Sequence, residues 1–179
     1  MDKSTVIDLL EEIAILLEIT GENSFKIRAY ENGARALQRR DESLEDLLDD
    51  KTLEGIDGIG KALAEKIRTF AETGSLPYYD KLREAVPAGL LELLRVPGLG
   101  GKSIKRLHEE LGIDSLAALK EAAEADRIAG LKGFGKKSQE KILHGIANLE
   151  AYGARHLWAD AEEDITEILE ELRKRPGVT

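Results

Sequence analysis

A five-residue unit recurs three times in this chain of 179 residues, and it constrains the fold more than any other feature. The unit reads apolar, any, Gly, apolar, Gly, and a helix opens directly after it: Ile56-Asp-Gly-Ile-Gly, Val96-Pro-Gly-Leu-Gly and Leu131-Lys-Gly-Phe-Gly. Setting Gly58, Gly98 and Gly133 in register gives offsets of 40 and 35 residues. Helical spacing follows each one, through Ala62, Leu63, Ile67 and Phe70, then Ile104, Leu107 and Leu111, then Ile142, Leu143 and Ile146. Gly74 and Gly112 stop the first two of these helices. The paired glycines permit close approach to another molecule and a positive φ where the turn needs one. Ile59, Leu99 and Phe134, between the glycines, are expected to point inward and pin each hairpin to the core. A chain organised around such units has little use for a sheet, and its vocabulary agrees: aromatics are 4%, while Ala, Leu, Ile, Glu and Lys abound. The expected fold class is all-α.

The remaining segments also read as helices. Ser4 or Thr5 is expected to cap a first helix in which Ile7, Leu10, Ile13, Ala14 and Leu17 recur at three and four residues. After a Gly21–Asn23 turn, a second helix is predicted from Phe25 to Arg39, with Phe25, Ala29, Ala36 and Leu37 as its apolar positions. The same stretch gathers Lys26, Arg28, Arg35, Arg39 and Arg40. Short helical pieces around Leu44, Leu47, Leu48 and Leu53 follow in an acidic run. Pro77 and Pro87 mark helix starts or a linker. A boundary placed there gives a small helical domain over residues 1–80 with the first hairpin, a second over 81–150 with the other two, and an acidic C-terminal helix over 151–179. Ala161, Ile165, Ile168, Leu169 and Leu172 would form that last helix's apolar stripe, with Trp158 packing it.

Charge narrows the functional classes. The net charge of −9 argues against a nucleic-acid binder if the charges are spread evenly. They are not. Seven acids fall between Asp41 and Glu54 and seven between Asp160 and Glu171, with Lys51 the single base in both stretches. Without them, 25 basic residues face 21 acidic ones, a surplus of four in the parts that carry the hairpins. The absence of cysteine excludes disulfides, thiolate zinc sites and a cysteine nucleophile. His108, His144 and His156 lack metal-ligand spacing. The amino-terminal helix carries acids in its apolar stretch, unlike a signal peptide, and no run reaches membrane-spanning length. A cytoplasmic, non-membrane protein is expected.

The hairpins themselves suggest a ligand. A helix start leaves its first amides without intrahelical acceptors, with the positive end of the dipole behind them, and a phosphate fits such a place. Around the first hairpin the expected contacts are Gly58, Gly60 and Lys61. At the second they are Gly98, Gly100, Lys102, Ser103 and Lys105, with Arg106 nearby. At the third they are Gly133, Gly135, Lys136 and Lys137, flanked by Lys132. Backbone donors aimed at sugar-phosphate position nucleic acid without reading bases. A turn of this kind also closes antiparallel helices in adaptors that bind proteins, so a protein-interaction module stays open as an alternative.

The segment order resembles the amino-terminal part of bacterial family X DNA polymerases, relatives of DNA polymerase beta. The stretches GENSFKIRAYENGARAL, GIDGIGKALAEKI, ETGSLPYYDKL with VPAGLLELLRVPGLG, and GLKGFGKKSQEKI carry the likeness. It implies helix-hairpin-helix motifs that bind DNA, with gapped, nicked or 5′-phosphate ends favoured. It also implies that carbonyls around Ile56 and Ile59, and around Val96 and Leu99, hold a Na⁺ or K⁺ ion beside the phosphate; no other cofactor is expected. The small domain of this family can act as a 5′-deoxyribose phosphate lyase, and the likeness puts the Schiff-base lysine at Lys66 and a 5′-phosphate pocket at Lys26 and Tyr30. The chain departs from that pattern at Ala62 and Tyr78, which stand where lysines are usual. Polymerase activity is not expected, since the carboxylates Asp160, Glu163 and Asp164 read as a solvated helix face.

Overall fold

The computed structural model describes residues 1–151, and the expected C-terminal helix with Trp158, His156 and the Asp160–Glu171 acids lies outside the described residues. Every regular element among the described residues is helical, as the hairpin repeats and composition predict. The chain divides into two compact units.

The first unit comprises residues 1–94 and 99–115. Its central element is α1 (Lys3–Thr20), which packs on α2 (Ser24–Gln38) and also meets α5 (Lys61–Thr73), α6 (Pro77–Glu84) and α8 (Gly101–Leu111). Contact on several sides explains why α1 buries nearly every apolar residue it has: Val6, Ile13, Leu16 and Leu17 are all fully buried. Each such side chain is worth about 1.5–3 kcal/mol relative to exposure. Two short helices, α3 (Leu44–Leu47) and α4 (Asp50–Glu54), cross the acidic run, and α7 (Ala88–Leu93) follows α6. Ser43 caps α3 by accepting from the Asp46 amide at 3.2 Å. Pro77 occupies the first turn of α6 and Pro87 the cap of α7, so both prolines start helices.

Three details of this unit differ from the sequence reading. The cap of α1 is Asp2, without a side-chain hydrogen bond to the helix, and Ser4 Oγ instead donates to the Asp2 carboxylate at 2.7 Å. The buried face of α2 is Ile27, Tyr30, Gly33, Ala34 and Leu37, while Phe25 is 77% exposed. Positions 27, 30, 34 and 37 are spaced three, four and three residues apart and share a face, whereas Phe25 lies two residues out of phase and turns away. The division between units does not fall near residue 80. α8 returns to pack on α1, and Gly101 makes this possible: a Cβ there would lie 2.7 Å from both the Ile15 carbonyl oxygen and the Glu18 Cβ. Gly21, Gly74 and Gly112 end α1, α5 and α8 in the left-handed conformation, with φ of 76°, 70° and 68°.

The second unit comprises residues 95–98 and those from 116 onward. It contains α9 (Leu116–Glu124) and a helix over residues 136–151, here α10. Leu119, Ala122, Ala123, Ile128, Ile142, Ile146 and Val96 are buried. Gly145 lets α10 approach the start of the second hairpin closely, because a Cβ there would meet Pro97 Cδ at 2.9 Å and Val96 Cγ1 at 3.2 Å. Gln139 is buried and satisfied: its Oε1 accepts from the Ala129 amide at 2.9 Å and its Nε2 donates to Asp126 Oδ1 at 2.6 Å. That pair of bonds ties the loop before the third hairpin to α10.

Candidate nucleic-acid interface

Backbone conformation repeats through the three glycine units. The first glycine of each takes positive φ, +94° at Gly58, +87° at Gly98 and +89° at Gly133, which makes glycine the natural residue there. In the first and third units the turn is closed by matching bonds, Ile59 N–H to the Ile56 carbonyl at 2.9 Å and Phe134 N–H to the Leu131 carbonyl at 3.0 Å. The second glycine of each accepts the first bond of the helix that follows. Gly60 accepts from Ala64 at 3.0 Å, Gly100 from Ile104 at 3.0 Å and Gly135 from Gln139 at 3.0 Å. Ile59 and Leu99 are buried as expected. Phe134 is only half-buried, so the third hairpin is pinned less deeply than the other two.

The second glycines matter for a different reason. Gly60 has φ −81° and ψ 166°, and Gly100 has φ −101° and ψ 174°, extended conformations open to any residue. Nothing lies within 4 Å of a Cβ placed on Gly60, Gly100 or Gly135. Neither strain nor packing within the chain therefore requires glycine at Gly60 or Gly100. Neither position carries a side-chain cap, so the first amides of α5 and α8 remain open outward. Gly101, by contrast, is glycine because α1 lies against it.

The basic side chains are distributed unevenly. Lys61, Lys136 and Lys137 are exposed beside their hairpins. After the second hairpin, acids moderate the charge: Lys102 Nζ lies 3.3 Å from Glu18, Lys105 Nζ 3.7 Å from Glu109 and Arg106 2.8 Å from Glu110. Ser103 is half-buried on α8. The Lys105 and Arg106 pairs are partly exposed and weak, whereas the carboxylate that meets Lys102 belongs to the largely buried Glu18. Among the described residues no group of three or more His, Asp or Glu side chains is placed to hold a metal. Among the described residues no helix is long and apolar enough to cross a membrane.

A second cluster lies in the first unit. Tyr30 is buried, and its ring stacks on that of Tyr78, centroids 6.1 Å apart and planes 4° from parallel. Lys26 Nζ and Lys66 Nζ lie 5.5 and 5.3 Å from the Tyr78 ring centroid, within cation–π range. The structure thus brings together the three residues that the sequence singled out, Lys26, Tyr30 and Lys66, around a fourth whose central place the sequence did not reveal. Ala62 is exposed and supplies its carbonyl to Lys66 Nζ at 3.3 Å. The Tyr78 hydroxyl is shut off from solvent and has no hydrogen-bond partner among the described residues. It nevertheless lies near enough to Lys26 to raise that ammonium's pKa, which burial opposes and Glu22, 3.6 Å away, reinforces. Burial, then the neighbouring Tyr78, pushes the Tyr30 phenol far above its ordinary range. Lys26 is accordingly held as a cation, the state that binds phosphate.

Known proteins share this architecture. Residues 1–76 match the family model described as a helix-hairpin-helix domain, and residues 90–148 match that of a SAM-like helix-hairpin-helix tandem. The chain is similar to the DNA polymerase/3′-5′ exonuclease PolX of Bacillus subtilis (strain 168), with 42% identity over 146 residues. That alignment takes in 82% of this chain and 25% of the relative, so the chain spans about a quarter of the protein it matches.

Proposed function

We propose that this chain is the DNA-binding helix-hairpin-helix region of a family X DNA polymerase, and that it grips the DNA sugar-phosphate backbone at its hairpins without reading bases, favouring gaps, nicks and 5′-phosphate ends. The observation that carries this reading is the pair Gly60 and Gly100. Both sit uncapped at helix starts in conformations any residue could adopt, with open space where a side chain would be. Bare amides at the positive end of a helix suit a phosphate. Gly58, Gly98, Lys61, Lys102, Ser103 and Lys105 complete the first two contacts, and Gly133, Gly135, Lys136 and Lys137 a third. A monovalent cation, Na⁺ or K⁺, at the carbonyls of Ile56, Ile59, Val96 and Leu99 belongs to the same proposal. The donor chemistry fits a hard cation, and the Ile56 carbonyl, which already accepts from Ile59, keeps a second lone pair. We place this activity in the cytoplasm, where bacterial DNA is found.

Binding to duplex over a salt series tests the reading. Affinity should fall steeply, with a log–log slope of about −0.9 per phosphate neutralised. It should not depend on base sequence, and a gapped duplex with a 5′-phosphate should bind more tightly than one without. A protein that ignores duplex even at low salt would be the helical adaptor instead.

The Tyr78 cluster favours a second reading, a 5′-deoxyribose phosphate lyase. Lys26 as a fixed cation, with Tyr30, would receive the 5′-phosphate, and Lys66 would attack the C1′ aldehyde. The neutral amine adds to C1′, and its two hydrogens leave with the carbonyl oxygen as water, giving an imine; loss of a C2′ proton to solvent forms the C2′–C3′ double bond and expels the 3′-oxygen with its phosphate, and water then hydrolyses the imine to free Lys66. Borohydride trapping on an incised abasic duplex tests this: a covalent adduct is expected with the wild type and none with Lys66→Ala.

A further inference from the structure

The C-terminal half of α2 and the first hairpin enclose a cleft of about 530 Å³ whose lining includes Arg35, Arg39, Arg40, Asn32, Asp57 and Gly58. Three guanidinium groups face one carboxylate, Asp57, so the lining is cationic. Arg35 and Arg39 are one turn apart on the same edge of α2, and Arg40 follows as the helix ends. The arginines are only lightly neutralised from within. Arg35 lies 3.2 Å from Glu31 and Arg40 3.6 Å from Glu42, both exposed pairs of the kind worth about 0–1 kcal/mol. Arg35 is also oriented by Asn32, whose side-chain oxygen accepts from it at 3.1 Å. The same asparagine forms the seat of the hairpin, 3.5 Å from where a Gly58 Cβ would be. Hairpin and arginines are therefore parts of one wall.

We propose that this cleft is a second backbone-binding site, in which Arg35, Arg39 and Arg40 hold the DNA phosphates next to the one at the first hairpin. The inference rests on the hairpin reading, because it takes the hairpin phosphate as the neighbour from which the strand continues. The rise from Arg35 to Arg39 is about 6 Å, one to two phosphate steps at about 3.4 Å of duplex rise per strand. Guanidinium groups meet phosphate oxygens through paired N–H bonds, which fixes the strand's direction as well as its charge. A phosphate track extending over the face of α2 also accounts for how a chain of net charge −9 holds a polyanion: the cations are gathered where the strand passes.

The test uses the full chain with anisotropy titrations of a fluorescent duplex across a salt series. In R35Q/R39Q/R40Q the log–log salt slope should become shallower by about 2 to 3, since each phosphate contact contributes about 0.9, and low-salt affinity should fall at least tenfold. R35K/R39K/R40K should keep the slope, because the charges remain. Arg83→Gln, an exposed-helix change outside the cleft, should leave slope and affinity unaltered. If the glutamine triple variant binds with the wild-type slope while Gly60→Asp weakens binding, the cleft proposal is wrong and the hairpin reading survives. If the triple variant weakens binding and Gly60→Asp does not, the cleft holds DNA and the hairpin reading fails. A change in Arg83→Gln equal to that of one cleft arginine would overturn the proposal by making the effect one of total charge. Melting curves matching the wild type establish that each variant is folded.

Discussion

The ring of Tyr78 lies nearly parallel to that of Tyr30, 6.1 Å between centroids, while its hydroxyl is buried with no hydrogen-bond partner among the described residues. Offset stacking of this kind contributes about 0.5–1.5 kcal/mol beyond area burial. An unsatisfied buried hydroxyl costs about 1–3 kcal/mol. Tyr78→Phe keeps the stack and removes the cost, so the urea midpoint should stay level or rise. The same variant should keep any preference for a 5′-phosphorylated gap, measured as the affinity ratio between duplexes with and without that phosphate, because the hydroxyl is shut off from solvent. A lower ratio would show that the hydroxyl does reach the phosphate.

Gly60→Asp and Gly100→Asp should separate stability from binding. Both positions have the extended conformation of a helix cap and open space for a side chain. Aspartate is a better cap than glycine by a few tenths of a kcal/mol, so thermal melting should shift little or upward. DNA affinity should drop tenfold or more, because the carboxylate takes the amides and repels the phosphate. Loss of binding together with lower stability would instead mark these glycines as structural.

Gly101→Ala should do the reverse. Its Cβ would come within 2.7 Å of the Ile15 carbonyl oxygen and the Glu18 Cβ, an overlap that forces α8 away from α1. Overpacking of this sort costs about 1–3 kcal/mol, and chemical denaturation reads it directly. Gly100→Ala, one residue earlier, meets nothing and serves as the matched comparison.

Alkaline pH should weaken the first unit through Tyr30. Burial pushes the phenol's pKa above its ordinary value of 10.0. The folded protein therefore holds this proton to higher pH than the unfolded chain does. Below about pH 10 the contribution is complete, and it is lost as pH rises through the folded-state value. The urea midpoint should fall as pH rises above about 10 in the wild type and fall less in Tyr30→Phe, which has no phenolic proton to lose.

Much of this was legible in the sequence, for local reasons. A glycine that needs positive φ, as at Gly58, Gly98 and Gly133, leaves its mark in a few consecutive residues, and so do helix stops at Gly74 and Gly112. What stayed hidden depends on contacts between distant segments. The return of α8 onto α1 through Gly101 joins residues more than eighty positions apart, and the Gly-Gly doublet alone does not say which glycine faces the core. Lys26 and Lys66 could be matched to a family pattern, but their meeting over Tyr78 is a product of tertiary packing. Phe25 is apolar yet exposed, because it lies out of phase with Ile27, Tyr30 and Leu37, and apolar character alone does not reveal which face a residue occupies. The acid partners of Lys102 and Lys105 show the same limit: Glu109 is one turn away in sequence, while Glu18 reaches its lysine from another helix.

Helices α5 and α8 begin with their terminal amides unfinished, since glycine offers no oxygen to complete the turn. On the proposed reading the missing group arrives with the ligand: a DNA phosphate takes the part that serine or aspartate plays in an ordinary helix start. Folding of these first turns and DNA occupancy are then one linked equilibrium. Bound DNA stabilises the native chain by RT ln(1 + [DNA]/Kd), and amide exchange at the helix starts slows on binding. The free protein is in this sense an incomplete structure whose last capping residue is supplied by its partner.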